Sequence, residues 1–283
     1  MSEWRTWPSW RRLAAITRAP DTGAAAVGAL VAGSLAELVE GISAYHPEEF
    51  DEAIVEIADE ILERRPGMAP LVTLVNTVHL AAGSGAAALV KELRSIERRS
   101  IRSTALLGRI GAGLVEPGAS VLTVGGSGSV RALLTEAASQ RRVFVSCVAS
   151  MPSGEGVELA ATLTGDGLPV EVVSDDEAAE AVGGVDLVLT GAAAVGPESF
   201  VNVPGTLAVV DAAVELDIPR YLVVSIEKAL PEPLFGRAVA AGRRQTEVPL
   251  GRMSAVVTEL GPLDPRALGK LASEREVAGR LLG

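Results

Sequence analysis

A change of hydrophobic period near residue 119 constrains this chain more than any other feature. Before it, apolar residues recur at spacings of three and four, the signature of one helix face. After it, short β-branched runs alternate with helical segments. Val27, Leu30, Val31, Leu35, Leu38, Val39 and Ile42 mark a helix over 21–43 with Asp21 as its N-cap, rich enough in alanine and glycine for another helix to approach closely. Pro47 starts a second helix over 48–65, with Phe50, Ile54, Ile57, Ile61 and Leu62 inward, and Pro66-Gly67 ends it. Further helical runs cover 68–80, 86–96 and 101–114. Strands are then predicted at 120–124, 143–148, 170–173, 187–189 and 221–225, with helices at 130–139, 156–164, 176–182 and 206–216. Continuous apolar strands joined by helices of about ten residues predict a parallel sheet covered on both faces. The expected fold class is α/β, with a helical domain over 1–115 and a sheet domain over 116–283, divided at Glu116-Pro117-Gly118.

Composition excludes several functions. With 48% hydrophobic residues in 283, the chain has ample material for a large core and is not a disordered one. Thirty-six acids against 25 bases give a net charge of −11, which argues against nucleic acid as the main partner, because neutralising phosphates takes clustered lysine and arginine. A single cysteine, Cys147, excludes an internal disulfide and a cysteine-rich zinc site. The most apolar stretch, 24–38, is interrupted by glycines and Glu37, so no membrane span is expected. Trp4, Trp7 and Trp10 stand among arginines with no apolar run of a secretory signal, and a soluble cytoplasmic protein is expected. That tryptophan stripe covers a cleft, a partner or its own domain.

In an open parallel sheet, ligands bind beyond the carboxyl ends of the strands. Four loops and one lysine qualify. Gly125-Gly126-Ser127-Gly128-Ser129 follows the first strand and opens a helix; its N–H groups suit an anion, or it is simply a tight strand-to-helix turn. Ala149 to Gly156 offers Ser150, Ser153 and Glu155; Gly191 to Ala194 offers no reactive side chain; Asn202 to Thr206 offers an amide and a capping hydroxyl. Lys228 follows the last strand and either pairs with Glu227 or faces an anionic ligand. His46 and His79 have no carboxylates at ligand spacing, so neither a metal nor a cofactor is expected. His79 reads as a hydrogen-bonded core residue on an apolar helix. Cys147 sits in a strand where a thiol is inert. Asp175-Asp176-Glu177 reads as an acidic helix start.

The order of these segments is more specific than any one of them. Arg65-Pro66, VLTVGGSGSV over 120–129, Met151-Pro152, DLVLTGA over 186–192, NVPGT over 202–206, IPRYLVVSIEK over 218–228, Thr258-Glu259 and Pro262 follow one another along the chain. This succession resembles the regulatory (alpha/beta/delta) subunit family of eukaryotic translation initiation factor 2B, which also contains methylthioribose-1-phosphate isomerase and ribose-1,5-bisphosphate isomerase. The resemblance implies a helical domain on a Rossmann-like domain, a cleft between them and a homodimer. It also implies, for the isomerases, a cysteine and an aspartate that move a proton between two sugar carbons.

At the matching positions this chain departs from the isomerases. Gly125 stands where the resemblance places the cysteine, and Ala193 where it places the aspartate. Met151 replaces an arginine, Val203 a lysine, and Thr22, ahead of Gly23-Ala24, another arginine. Glycine and alanine exchange no side-chain proton, and loss of one such group costs about 100- to 10,000-fold in rate. The expectation is therefore a non-catalytic scaffold or regulatory protein, with a protein partner or a small phosphorylated ligand held by Gly125, Gly126, Ser127, Ser129, Ser150, Asn202 and Lys228. The alternative is an aldose–ketose isomerase acting on a ribose 1-phosphate derivative with relocated groups.

Overall fold

The computed structural model describes residues 3–18, 24–242 and 245–282. Asp21, Thr22 and Gly23 lie outside the described residues.

The first part is helical: α1 (Pro8–Ile16), α2 (Ala24–Tyr45), α3 (Phe50–Arg64), α4 (Ala69–Leu80) and α5 (Ala86–Ala112). The small residues of α2 act as anticipated, since a Cβ on Gly33 would run into the Glu97 carboxylate of α5. By length and composition α2 would cross a membrane, but 67% of its apolar window is buried inside the fold, as expected of a core helix. α5 corrects the sequence reading. One continuous helix replaces the two runs predicted over 86–96 and 101–114. Ser100 and Ser103 interrupt the apolar period although both are buried, so the gap marks a polar contact and not a break. Trp4 and Trp10 are buried in the helical core with rings edge-on, 5.0 Å between centroids. The stripe therefore packs on its own layer.

The second part alternates: β1 (Ser120–Val124), α6 (Gly128–Ala138), β2 (Phe144–Val148), α7 (Glu155–Gly165), β3 (Val170–Val173), α8 (Ala178–Ala181) and β4 (Leu187–Thr190). Then come β5 (Ala194–Val195), β6 (Ser199–Asn202), α9 (Thr206–Glu215), β7 (Arg220–Val223) and α10 (Glu232–Ala241). The rest comprises β8 (Thr246–Pro249), β9 (Ala255–Thr258), β10 (Gly261–Leu263) and α11 (Pro265–Ser273). The main sheet runs β10-β9-β7-β4-β1-β2-β3, parallel except for β10. The α/β class is thus observed, and both faces of the sheet are covered. Val121, Cys147, Leu189, Val223 and Val257 pack under α5, α6 and α7 on one face, while Leu122, Val124 and Val188 pack under α8 and α9 on the other.

A second sheet, antiparallel β5-β6-β8, was not predicted. Its Ala194 and Val201, with Leu230, Leu234, Phe235, Ala238 and Leu281, complete the hydrophobic core of the helical layer. Residues from both ends of the chain thus build one core.

Candidate functional site

The sheet presents its carboxyl ends as a rim of loops, and Asn202 ties that rim together. Its Nδ2 donates to Thr190 Oγ1 at the end of β4 (2.9 Å), to Thr206 Oγ1 in the first turn of α9 (3.1 Å) and to the Val124 carbonyl at the end of β1 (3.4 Å). Asn202 is buried, and its Oδ1 accepts no hydrogen bond among the described residues. A Cβ on Gly125 would lie 3.6 Å from both amide atoms of Asn202 and 3.2 Å from Val203 Cγ2. Gly125 is itself at φ +81°, the left-handed region that disfavours any side chain.

The loop after β2 folds onto the same point. The Gly125 N–H donates to Ser150 Oγ (3.1 Å), which donates in turn to the Val148 carbonyl (3.1 Å). Ser150 holds φ +60°, and among the described residues only Asp217 shares that conformation with it outside glycine. Non-glycine residues held there signal a locally over-determined structure, and such positions cluster at ligand clamps. The Gly126 N–H donates to Glu155 Oε2 (3.3 Å), and the Met151 N–H to Asp175 Oδ2 (3.0 Å). Asp175 therefore anchors the β2 loop, beyond the acidic helix start read from the sequence. Ser127 caps α6, its Oγ accepting from the Val130 N–H (3.3 Å), and a Cβ on Gly191 would collide with that same hydroxyl. Ser129, half-buried, makes no side-chain hydrogen bond among the described residues.

Lys228 closes this side of the rim. Its Nζ donates to the Ala192 carbonyl (2.6 Å), directly after Gly191, and burial pushes its pKa down to about 8. It does not pair with Glu227, which was one of the two expectations for it. Gly125, Gly126, Ser127, Ser150, Asn202 and Lys228 thus form one connected set. Ala193 lies beside it, its N–H donating to the Val201 carbonyl (2.8 Å) and its methyl packed against the helical core. Cys147 is fully buried behind the rim, and burial pushes its thiol up to about 12. At such a value it is neither a nucleophile nor a proton shuttle near neutral pH.

Sequence reasoning missed a second polar group at the ends of β7 and β9. The Glu227 carboxylate accepts from Ser100 Oγ of α5, and its carbonyl accepts from Thr73 Oγ1 of α4 (2.8 Å). Arg275 donates to the Ile226 carbonyl (2.7 Å) and to Thr73 Oγ1 (3.4 Å), while the Glu259 carboxylate accepts the Ile226 N–H (3.1 and 3.3 Å). Asn76 of α4 donates to the Glu276 carbonyl (2.8 Å) and accepts from the Ala278 N–H (2.9 Å). Burial raises the pKa of Glu227 and Glu259 and lowers that of Arg275. Glu227 Oε1 and Ser225 Oγ are buried without a partner among the described residues. These partners lie 33 to 202 residues apart in sequence, so no local pattern announces them.

The histidines behave differently from each other. His79 Nε2 lies 3.1 Å from Asp59 Oδ1, consistent with a core histidine facing a polar neighbour. His46 does have carboxylates at hand, contrary to the sequence reading. It shares a turn with Glu48 and Glu49, their ligand atoms within 4.8 Å of one another, but the glutamates are exposed and this is ordinary acidic surface. A groove of about 750 Å³ runs along β2 and β3 past Phe144, Ser146, Pro169 and Glu171, away from the rim.

The model of the Initiation factor 2 subunit family matches residues 21–264. A protein of Pyrococcus abyssi named as eIF-2B subunit 2-like is 31% identical over 242 residues, 77% of this chain and 85% of that one. The ribose 1,5-bisphosphate isomerase of Methanocaldococcus jannaschii is 22% identical over 269 residues, 86% of this chain and 87% of that one. The crystal structure of the translation initiation factor eIF-2B of Pyrococcus horikoshii superposes with a TM-score of 0.75 at 22% identity, covering 94% of this chain and 99% of that one.

Proposed function

The chain belongs to the initiation factor 2 subunit family, and we propose that it is a non-catalytic member. In this reading it is a scaffold or regulatory subunit, working as a homodimer or with a protein partner, that keeps a weakened pocket for a phosphorylated sugar or nucleotide. One observation carries the reading: at the positions to which the resemblance assigns the isomerases' cysteine and aspartate, this chain has Gly125 and Ala193. Moving a hydrogen between adjacent sugar carbons takes one group to remove a proton and another to return it, each within hydrogen-bond reach. Neither residue has a side chain that exchanges protons. The positive φ of Gly125, which disfavours any side chain, and the closeness of Val203 leave no ready space for one.

The neighbouring titratable groups are already engaged. Glu155 and Asp175 accept backbone N–H groups of the rim loops, and Cys147 is sealed behind them. What the rim retains is binding chemistry. The N-terminus of α6 at Ser127, the hydroxyl of Ser129 and the ammonium of Lys228 suit an oxyanion. Missing arginine and lysine at Met151 and Val203 weaken such binding, each charge-assisted bond contributing about 1.5–3 kcal/mol.

Lys228 favours a second reading, an aldose–ketose isomerase with relocated groups, because a lysine pushed down to about 8 is suited to exchange protons near neutral pH. Incubation with ribose 1,5-bisphosphate and with methylthioribose 1-phosphate separates the two. We expect no ketose product; turnover that disappears on Lys228→Met establishes the isomerase. Light scattering at micromolar concentration tests the assembly, and a species of monomer mass argues against the dimer.

A further inference from the structure

α1 carries chemistry that this reading leaves unused. Side chains of the turn at Glu3–Thr6, of α1 and of α3 enclose an open groove of about 420 Å³. Four arginines line it, Arg5, Arg11, Arg18 and Arg64, against one carboxylate, Glu60. That carboxylate is already neutralised, one oxygen by Arg5 (2.8 Å) and the other by Arg64. Arg5 and Arg64 are also held over the Trp10 ring, 5.3 and 5.5 Å from its centroid. Their guanidinium groups are thus fixed in place before any ligand arrives.

Arg11 and Arg18 differ. Both are exposed, lie on the same side of α1 and its C-terminal turn, and make no side-chain hydrogen bond or ion pair among the described residues. Glu56 also pairs with Arg5 (2.6 Å), so two carboxylates offset Arg5 and Arg64, and in a protein of net charge −11 Arg11 and Arg18 leave a local excess of positive charge. Guanidinium forks match the oxygens of a phosphate better than any other side chain does, and the volume lies within the range of small-ligand sites.

We propose that this groove is a second anion site, taking the phosphate monoester group of a small molecule. Arg11 and Arg18 donate to its oxygens, and Arg5 and Arg64, held in place by Glu56 and Glu60, form the rigid wall. The site uses no residue of the strand-end rim, so it stands or falls independently of the function proposed above.

Isothermal titration with inorganic phosphate in chloride buffer tests it, comparing the full chain with the double variant Arg11→Glu/Arg18→Glu. Saturable binding that weakens about tenfold or more in the variant is expected, since two charge-assisted contacts are lost. Both side chains are exposed and unpaired among the described residues, and Arg11→Gln/Arg18→Gln repeats the test without reversing charge. Ser129→Ala distinguishes the sites: binding in the groove is unchanged by it, whereas binding at the rim is weakened. Equal affinity in the wild type and both arginine variants overturns the proposal. So does a signal that sodium chloride of matched ionic strength reproduces.

Discussion

The rim at β1 and β4 and the polar joint at β7 and β9 stand along the same edge of one sheet, yet they hold opposite chemistry. At the rim, Gly125, Ser127, Ser150 and Asn202 are neutral and bond only to backbone groups and hydroxyls. At the joint, Glu227, Glu259 and Arg275 bring ionisable groups into a buried seam with Ser100 and Thr73 of the helical layer. Apart from Lys228, the buried charges of this edge therefore serve cohesion between layers, while the exposed Glu155 and Asp175 anchor the rim loops. In the function proposed above, recognition falls to N–H groups, hydroxyls and one lysine. A site that moves protons would reverse that distribution, because perturbed acids and bases belong where the substrate sits.

The largest test of this contrast is Arg275→Met. It removes two hydrogen bonds of a charged guanidinium, to the Ile226 carbonyl and Thr73 Oγ1, each contributing about 1.5–3 kcal/mol, and takes a cation from the neighbourhood of Glu227 and Glu259. Urea denaturation reads this directly; a loss below about 1 kcal/mol would mean that apolar packing alone holds the layers together. Lys228 comes next. Burial disfavours its charged form, so the folded protein releases this proton near pH 8, while the unfolded chain keeps it to the ordinary lysine value of 10.5. Between those values the unfolded state binds more protons, so stability from this site rises with pH, by about 3 kcal/mol over the window, and is flat below it. The stability difference between wild type and Lys228→Met, followed by denaturation from pH 7 to 10.5, should shift by that amount. A constant difference would place the ammonium in contact with water and return it to the surface chemistry of the rim. The smallest effect is expected from Gly125→Ala, about 1–2 kcal/mol for a side chain in the left-handed region, measured as a drop in melting temperature. No loss would show that the β1 loop relaxes easily and has room for the side chain the isomerases carry.

How much of this was legible in the sequence depended on how local each signal was. β1 and β3 fall at their predicted bounds, because a mostly apolar, β-branched run, broken in β3 only by Glu171, ends against glycine or a polar turn. α5 was split in two because burial of a serine is invisible to a hydrophobic period. β5, β6 and β8 escaped because two to four residues containing proline, glutamate and asparagine do not resemble a strand until the partner is known. At the rim, Gly125, Ser150 and Asn202 were each named from loops that follow strands, which is where such folds bind ligands. Their mutual bonding was not predictable, and neither was the capture of Lys228 by the Ala192 carbonyl, since both depend on which loops the twist of the sheet brings together.

Asn76 clasps the backbone at 276 and 278, and Leu281 enters the helical core. During synthesis, the segment made first must therefore wait, with part of its apolar surface uncovered, until some two hundred further residues have left the ribosome. The core of the first-made helices is thus completed by the last-made residues, and a protease cut after α11 is expected to loosen the molecule at its far, amino-terminal side.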